Sequence, residues 1–384
     1  MKIAFLTPEY PHPVTGSSGG IGTSIKNLAQ GLIQQNHQVR ILVYGQKKDA
    51  IFIDNGVTVQ QIKNVKLKGL SWYFTRKKIQ KIINTLHNNQ EIDLVEAPDW
   101  TGITSFIQPP KCPIVIKLHG SDTYFCHLDK RPVKWNNRFH EKRALQKANG
   151  FISVSQYTAD VTNKLFGLHK KFTIIPNSID SKIFSCENII SDKKTILYFG
   201  TLIRKKGLLE LPLIFNRVIE QIPDAHLIMV GKDSPDIISG NSSTWKMMQK
   251  LFSEKALQNV SYLGSVPYEK IQEHINSASV CVFPSYAEAL PVSWIEAMAM
   301  KKAIVASEIG WGKEVIENNQ SGFLVHPKKH QEYADKITLL LNNKALALQM
   351  GKNARKRVEN LFDIKVIAEQ NVEFYLKTLN DYNK

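Results

Sequence analysis

Two doubly wound α/β domains are what the sequence predicts, on three observations. Short β-branched runs alternate with amphipathic segments of helix length through both halves of the chain, the pattern of parallel sheets covered by helices. The 384 residues, 43% apolar and 22% charged, hold more core material than a single domain usually serves. A polar, poorly periodic stretch at 178–192 breaks the alternation near its middle.

Taken in order, the first half offers strands at 2–6, 39–44, 93–96, 114–118, 151–154 and 172–175, and the second at 195–199, 226–230, 260–263, 280–283, 303–306 and 323–325. Each set makes one sheet, with ligands expected at the carboxyl ends of its strands. The domains then run over 1–177 and 193–361, with 178–192 as linker. The stretch 362–384 reads as a final amphipathic helix, with Ile364, Ile367, Val372, Phe374, Tyr375 and Leu379 on one broad side, crossing back to the first domain.

Composition narrows the class. The first apolar run meets Pro8, Pro11 and Pro13 too soon for a signal peptide, and no stretch approaches the roughly 20 apolar residues of a spanning helix. Cys112, Cys126, Cys186 and Cys281 lack metal-ligand or CxxC spacing and read as reduced thiols of a cytosolic protein. The net charge is +16, and its excess is N-terminal: up to Ser185 there are 25 Lys+Arg against 12 Asp+Glu, and beyond it 25 against 22. Such a first domain suits an anionic partner, a membrane surface or an acidic substrate. Between Lys63 and Lys78, cations flank Trp72, Tyr73 and Phe74, the composition of a segment that docks on anionic membrane; 130–147, also basic, extends it. No recognised RNA- or DNA-binding module appears, and the basic residues do not interleave with a repeated stacking pattern.

The most informative stretch runs from Phe283 to Ala299. A strand ends at Phe283, Glu288 lies on the loop, Pro291 sits at a first helical position, and Glu296 lies on the helix behind it. The free N–H groups of that helix start, those of Val292 and Ser293, form an anion site strengthened by the helix dipole. A diphosphate fits there, with Glu288 reaching a sugar and Glu296 accepting from a ribose diol. The loop Gly200–Gly207 ends another strand and brings cations, Arg204 to Lys206, towards phosphate. Gly19 and Gly20 allow backbone to approach a ligand closely, and His119 and the Asp99-Trp100 pair follow first-domain strands.

Two glutamates spaced in this way, after Pro-Ser and before Ala-Met-Ala, closely resemble the EX7E motif of glycosyltransferase family 4, the retaining GT-B enzymes with a "glycosyl transferases group 1" C-terminal domain. The other matches run in that family's order over most of the chain. The resemblance implies a GT-B fold and transfer of a sugar from a nucleotide diphosphate sugar to an acceptor on the first domain, with retention, no metal and no cofactor. It gives Glu288 to the donor sugar, Glu296 to the ribose, Lys206 to the diphosphate, Gly19 and Gly20 to phosphate and sugar, and His119 to the transferred sugar. Val266 lines the base pocket through its backbone, and Leu290 stands in the loop before the helix. Asp99 and Trp100 are acceptor candidates. The chain departs from the pattern at Thr201, where the family has arginine and for which Arg204 offers a substitute, and at Gly310-Trp311 and Met300 to Ala303. No D-x-D pair occurs to hold a metal on the diphosphate. A nonhydrolysing sugar-nucleotide epimerase shares the two-sheet plan, but the EX7E context argues against it; a basic nucleic-acid-binding module is the third class.

Overall fold

The computed structural model describes residues 1–16, 18–109, 111–184 and 194–384. It contains two compact units, one of Met1–Ile179 with Phe362–Lys384 and one of Asp180–Leu361. Most of the expected linker, together with Cys186, lies outside the described residues; Ser178 and Ile179 are buried, and Ile179 bridges Asp363 within the first unit. Cys112, Cys126 and Cys281 are free and buried.

In the first unit, β1 (Lys2–Thr7), β2 (Gln38–Gln46), β3 (Ala50–Asp54), β4 (Val57–Lys63), β5 (Leu94–Pro98), β6 (Ile114–Leu118), β7 (Gly150–Ser153) and β8 (Thr173–Ile174) form a sheet in the order β3-β4-β2-β1-β5-β6-β7-β8. The period-2 geometry of a strand explains the double winding. In β1, Ile3 and Phe5 face a core shared with helices Gly20–Gln34 and Ile364–Tyr382, while Ala4 and Leu6 face one shared with helix Ser71–Asn88. The two strands β3 and β4 are absent from the sequence-based set. They pair antiparallel around Asn55 and Gly56, both at positive φ, as a two-residue hairpin turn requires.

The second unit holds β9 (Thr195–Phe199), β10 (His226–Val230), β11 (Val260–Tyr262), β12 (Val280–Phe283), β13 (Ala303–Ser307) and β14 (Phe323–Val325), all parallel, in the order β11-β10-β9-β12-β13-β14. Chain order reverses between β9 and β12. The loops that leave those two strands therefore open a crevice at the carboxyl edge of the sheet, where such folds bind ligands.

Candidate functional site

Those two loops carry the motif residues, and a glycine lets them touch. Gly207, at φ +70°, lies so close to the Pro284 carbonyl that a Cβ would come within 1.8 Å of its oxygen. The Lys205 carbonyl then accepts from the N–H groups of Tyr286 and Ala287 at 2.8 and 3.1 Å. This contact brings the Lys206 ammonium 2.8 Å from Glu288 Oε1, which also accepts from Ser285 Oγ at 3.1 Å. Tyr286 donates to Glu210, and His330 bonds the other Glu210 oxygen, so the base of the loop is braced from two helices.

Helix Val292–Ala299 follows, with Pro291 as its N-cap rather than its first helical residue. Val292 and Ser293 are half-buried at its start, behind the buried Leu290. One turn on, Glu296 is buried and accepts from the Tyr268 hydroxyl at 2.5 Å. Burial pushes its carboxyl up to about 7, against the opposing effects of the Tyr268 hydrogen bond and the Lys206 charge. Val266, half-buried, lies between β11 and helix Tyr268–Ser277. Arg204 bonds Asp236 through Nε and Nη2 at 2.8 and 2.7 Å. The charge it was expected to offer in place of Thr201 is thus already balanced by a carboxylate.

In the first unit, Gly19 caps helix Gly20–Gln34, and Glu9 accepts from the Gly22 N–H at 3.0 Å. The chain's own carboxylate thus stands at the helix start that the glycines leave open. His119 follows β6, and its backbone N–H donates to the buried Asp99 carboxylate at 2.8 Å. Burial, with the charge of Lys117, holds the imidazole down at about 3, so it is neutral at physiological pH. Burial also pushes the Asp99 carboxyl up to about 7, although backbone N–H groups donate to it. Trp100 is half-buried in the following turn, where Thr101 takes φ +53°.

The structure thus brings Lys206, Glu288, Val292, Ser293 and Glu296 together in the second unit, and Asp99 and His119 in the first. The sequence reading missed Ser285, Tyr268, Glu210, Asp236 and Glu9. Apart from Ser285, whose partner is 3 residues on, the partners described for them lie 13 to 120 residues away, in segments whose meeting depends on packing. Arg76, grouped with Lys77 and Lys78 as a surface cation, is instead only 7% exposed, because it falls on the inward face of its helix; Lys78 is paired with Asp49.

Comparison with known proteins gives two family matches, "Glycosyltransferase Family 4" over 18–182 and "Glycosyl transferases group 1" over 180–357. An uncharacterized glycosyltransferase of Methanocaldococcus jannaschii is 23% identical over 98% of each chain. Among solved structures, sucrose-phosphate synthase from Thermosynechococcus elongatus superposes with a TM-score of 0.80 at 21% identity, covering 99% of this chain and 100% of that one. Anabaena HepE in complex with UDP-glucose gives 0.74 at 20% identity, covering 98% and 100%.

Proposed function

We propose that this chain, a glycosyltransferase of the GT-B fold, transfers a sugar with retention, and without a metal, from a nucleoside diphosphate donor held by its second unit to an acceptor held by its first. The observation that carries the reading is the Lys206–Glu288 pair beside the start of helix Val292–Ala299. An ammonium has three donors, so Lys206 can keep Glu288 and still bind phosphate. Negative charge grows on the leaving diphosphate in the transition state. Lys206 and the Val292 and Ser293 N–H groups are therefore the electrostatic catalysts, since they bind that charge more strongly as it develops.

Glu288, held by Lys206 and Ser285, accepts from the donor sugar's hydroxyls. Glu296 accepts from the ribose in the manner it now accepts from Tyr268, so Tyr268 must move or share when nucleotide arrives. Neutral His119 donates or accepts a hydrogen bond to the transferred sugar without adding charge. By the family resemblance Gly19 and Gly20 serve the donor's phosphate and sugar, Val266 lines the base, and Leu290 stands in the loop before the diphosphate-binding helix start. Asp99, which holds the backbone at His119, and Trp100 serve the acceptor. The enzyme works in the cytoplasm, at times against the inner face of a membrane.

UDP-glucose is the first donor to try, since HepE is solved with it. Calorimetry and slow donor hydrolysis should show saturable binding and release of nucleoside diphosphate, and NMR of the product should show the donor's anomeric configuration retained. A folded protein that binds no nucleotide sugar in a panel of bases would overturn the reading.

A further inference from the structure

Helix Ser71–Asn88 turns Thr75, Arg76, Ile79, Ile83 and Leu86 inward. The isoleucines and Leu86 join a core, whereas Arg76 forms part of the wall of a cavity of about 370 Å³ with Tyr44, Asn64, Trp72, Thr101, Asn137 and His140. Tyr44 belongs to β2, Asn64 follows β4 and Thr101 follows β5, so the cavity opens at the carboxyl edge of the first sheet. That edge is where open α/β sheets take ligands.

Arg76 is over-supplied for a purely structural part. Its Nη atoms donate to the carbonyls of Trp72 and Gly102 at 3.1 and 3.3 Å, which ties the helix to the loop after β5. Two neutral donors would do that. Its Nε is buried with no hydrogen-bond partner, and although the guanidinium lies over the Trp72 ring at 5.5 Å, no carboxylate among the described residues pairs with it. No aspartate or glutamate lines the cavity. Glu141, on the adjoining helix, is spent on the Thr101, Asp122 and Thr123 N–H groups and the Thr123 hydroxyl. Burial, helped by the charges of Arg76 and Arg143, holds His140 down at about 4, so it supplies no second cation and no anion. A buried ion without a counter-ion is costly, and an anion arriving from solution relieves that cost.

We propose that this cavity seats the acceptor, and that Arg76 pairs there with an oxyanion on it, a carboxylate or a phosphate monoester. The inference rests on the glycosyl-transfer reading and names its acceptor class. Asn64 accepts from the Gly45 N–H and keeps its amide N–H groups for the ligand; Asn137 donates to Asp122 and keeps a carbonyl oxygen. With the Trp72 ring they suit a carbohydrate beside the anion, because sugar rings present C–H faces and hydroxyls together.

The test uses the full chain, calorimetry and thermal shift, with glucose 6-phosphate, glucuronate, dihexanoyl phosphatidate and neutral glucose as probes. At least one anion should bind about tenfold or more tightly than glucose, as a charged hydrogen bond implies. Sugar-borne anions alone point to a soluble acceptor, and phosphatidate alone to a lipid-borne one; both outcomes support the oxyanion site. Arg76→Gln should remove the preference. Because that buried change can harm folding, Asn64→Asp is the second variant: it keeps the oxygen used by Gly45 but sets a carboxylate in the cavity, and should weaken anion binding by about tenfold or more. Anions binding no better than glucose, or an Asn64→Asp protein that binds them unchanged, would overturn the proposal. Nucleoside diphosphate binding, measured in parallel, separates the two failures. If it persists while the anions fail, only the acceptor class is wrong; if it is missing, the transfer reading itself falls.

Discussion

In the proposed reaction Lys206 holds a carboxylate and a phosphate at once, and its neighbour Arg204 is tied to Asp236. The Lys206→Ala change therefore has no ready substitute. Loss of a charged hydrogen bond of roughly 1.5–3 kcal/mol should lower kcat/KM by about ten- to a hundredfold. Steady-state kinetics on the folded variant checks this, and an unchanged value would take Lys206 out of the site. Glu296 yields a pH prediction. Its folded-state pKa, about 7, lies above the ordinary 4.5. The folded apoprotein thus holds that proton more tightly than the unfolded chain does, and the stability so gained is complete below about 4.5 and lost as pH rises to 7. Glu296→Gln cannot lose a proton, so its melting temperature should gain on wild type across that window. Nucleotide binding should do the reverse in wild type, strengthening through pH 7 as the carboxylate becomes able to accept from both ribose hydroxyls, and should be flat in the variant. Equal pH profiles for the two proteins would refute the assignment. Glu288 and Glu296 were legible as neighbours because a strand, a short loop and a helix fix their setting within a few residues, and Lys206 was legible only on its own loop, since its meeting with Glu288 spans 82 residues. Tyr268 was not, since a helix 28 residues before Glu296 delivers it and no local pattern records that docking.

At the scale of elements, the strands of both sheets were readable from their β-branched runs, and the hairpin of β3 and β4 was missed although Asn55-Gly56 marks it. The cause is its setting. In a βα alternation a helix is expected after β2, and the chain first turns back on itself to cover the sheet edge before helix Ser71–Asn88 begins. The final helix was readable from its apolar spacing, but its seat depends on one residue in another helix. At Gly31, in helix Gly20–Gln34, an added Cβ would lie 2.8 Å from Ile364 Cγ1 and from the Ile364 carbonyl oxygen, and 3.1 Å from the Ala368 Cβ. Gly31→Ala gains helix propensity yet should still destabilise the first unit by about 1–3 kcal/mol through overpacking, with faster proteolysis of the C-terminal helix. Gly167→Ala is the control, because it meets nothing within 4 Å although its φ is +59°; it should cost about 1 kcal/mol or more from backbone strain alone and leave that helix protected. Denaturant titration and limited proteolysis of both variants decide the matter, and a Gly31→Ala protein as stable and as protected as wild type would show the contact to be slack.

At the scale of the whole molecule, the excess charge of the first 185 residues has a surface to act through. No helix among the described residues is long and apolar enough to cross a membrane. Instead, the first unit exposes Leu67, Leu70, Trp72, Phe74, Trp135 and Phe139, Trp135 at 77%. Ring contacts running from Trp72 through Phe106 to Phe139 join the start of helix Ser71–Asn88 to that of helix Trp135–Lys147. Lys66, Lys68, Lys134 and Arg138 stand exposed in the same segments. Aromatic rings favour the headgroup boundary, and each basic residue near an anionic surface contributes about 1 kcal/mol, so four suffice for reversible docking. We therefore expect the protein to pellet with anionic vesicles and not with neutral ones, and to be released by salt, which screens charge over about 8–10 Å at physiological strength. The variant to make is Lys66, Lys68 and Lys134 changed together to Glu; Arg76 is buried and Lys78 is held by Asp49, so neither reports on the surface. Loss of sedimentation with nucleotide-sugar binding intact would assign these side chains to docking. Equal indifference of wild type to both vesicle types would mean that the apolar rim serves a soluble acceptor and the lysines only solvate it.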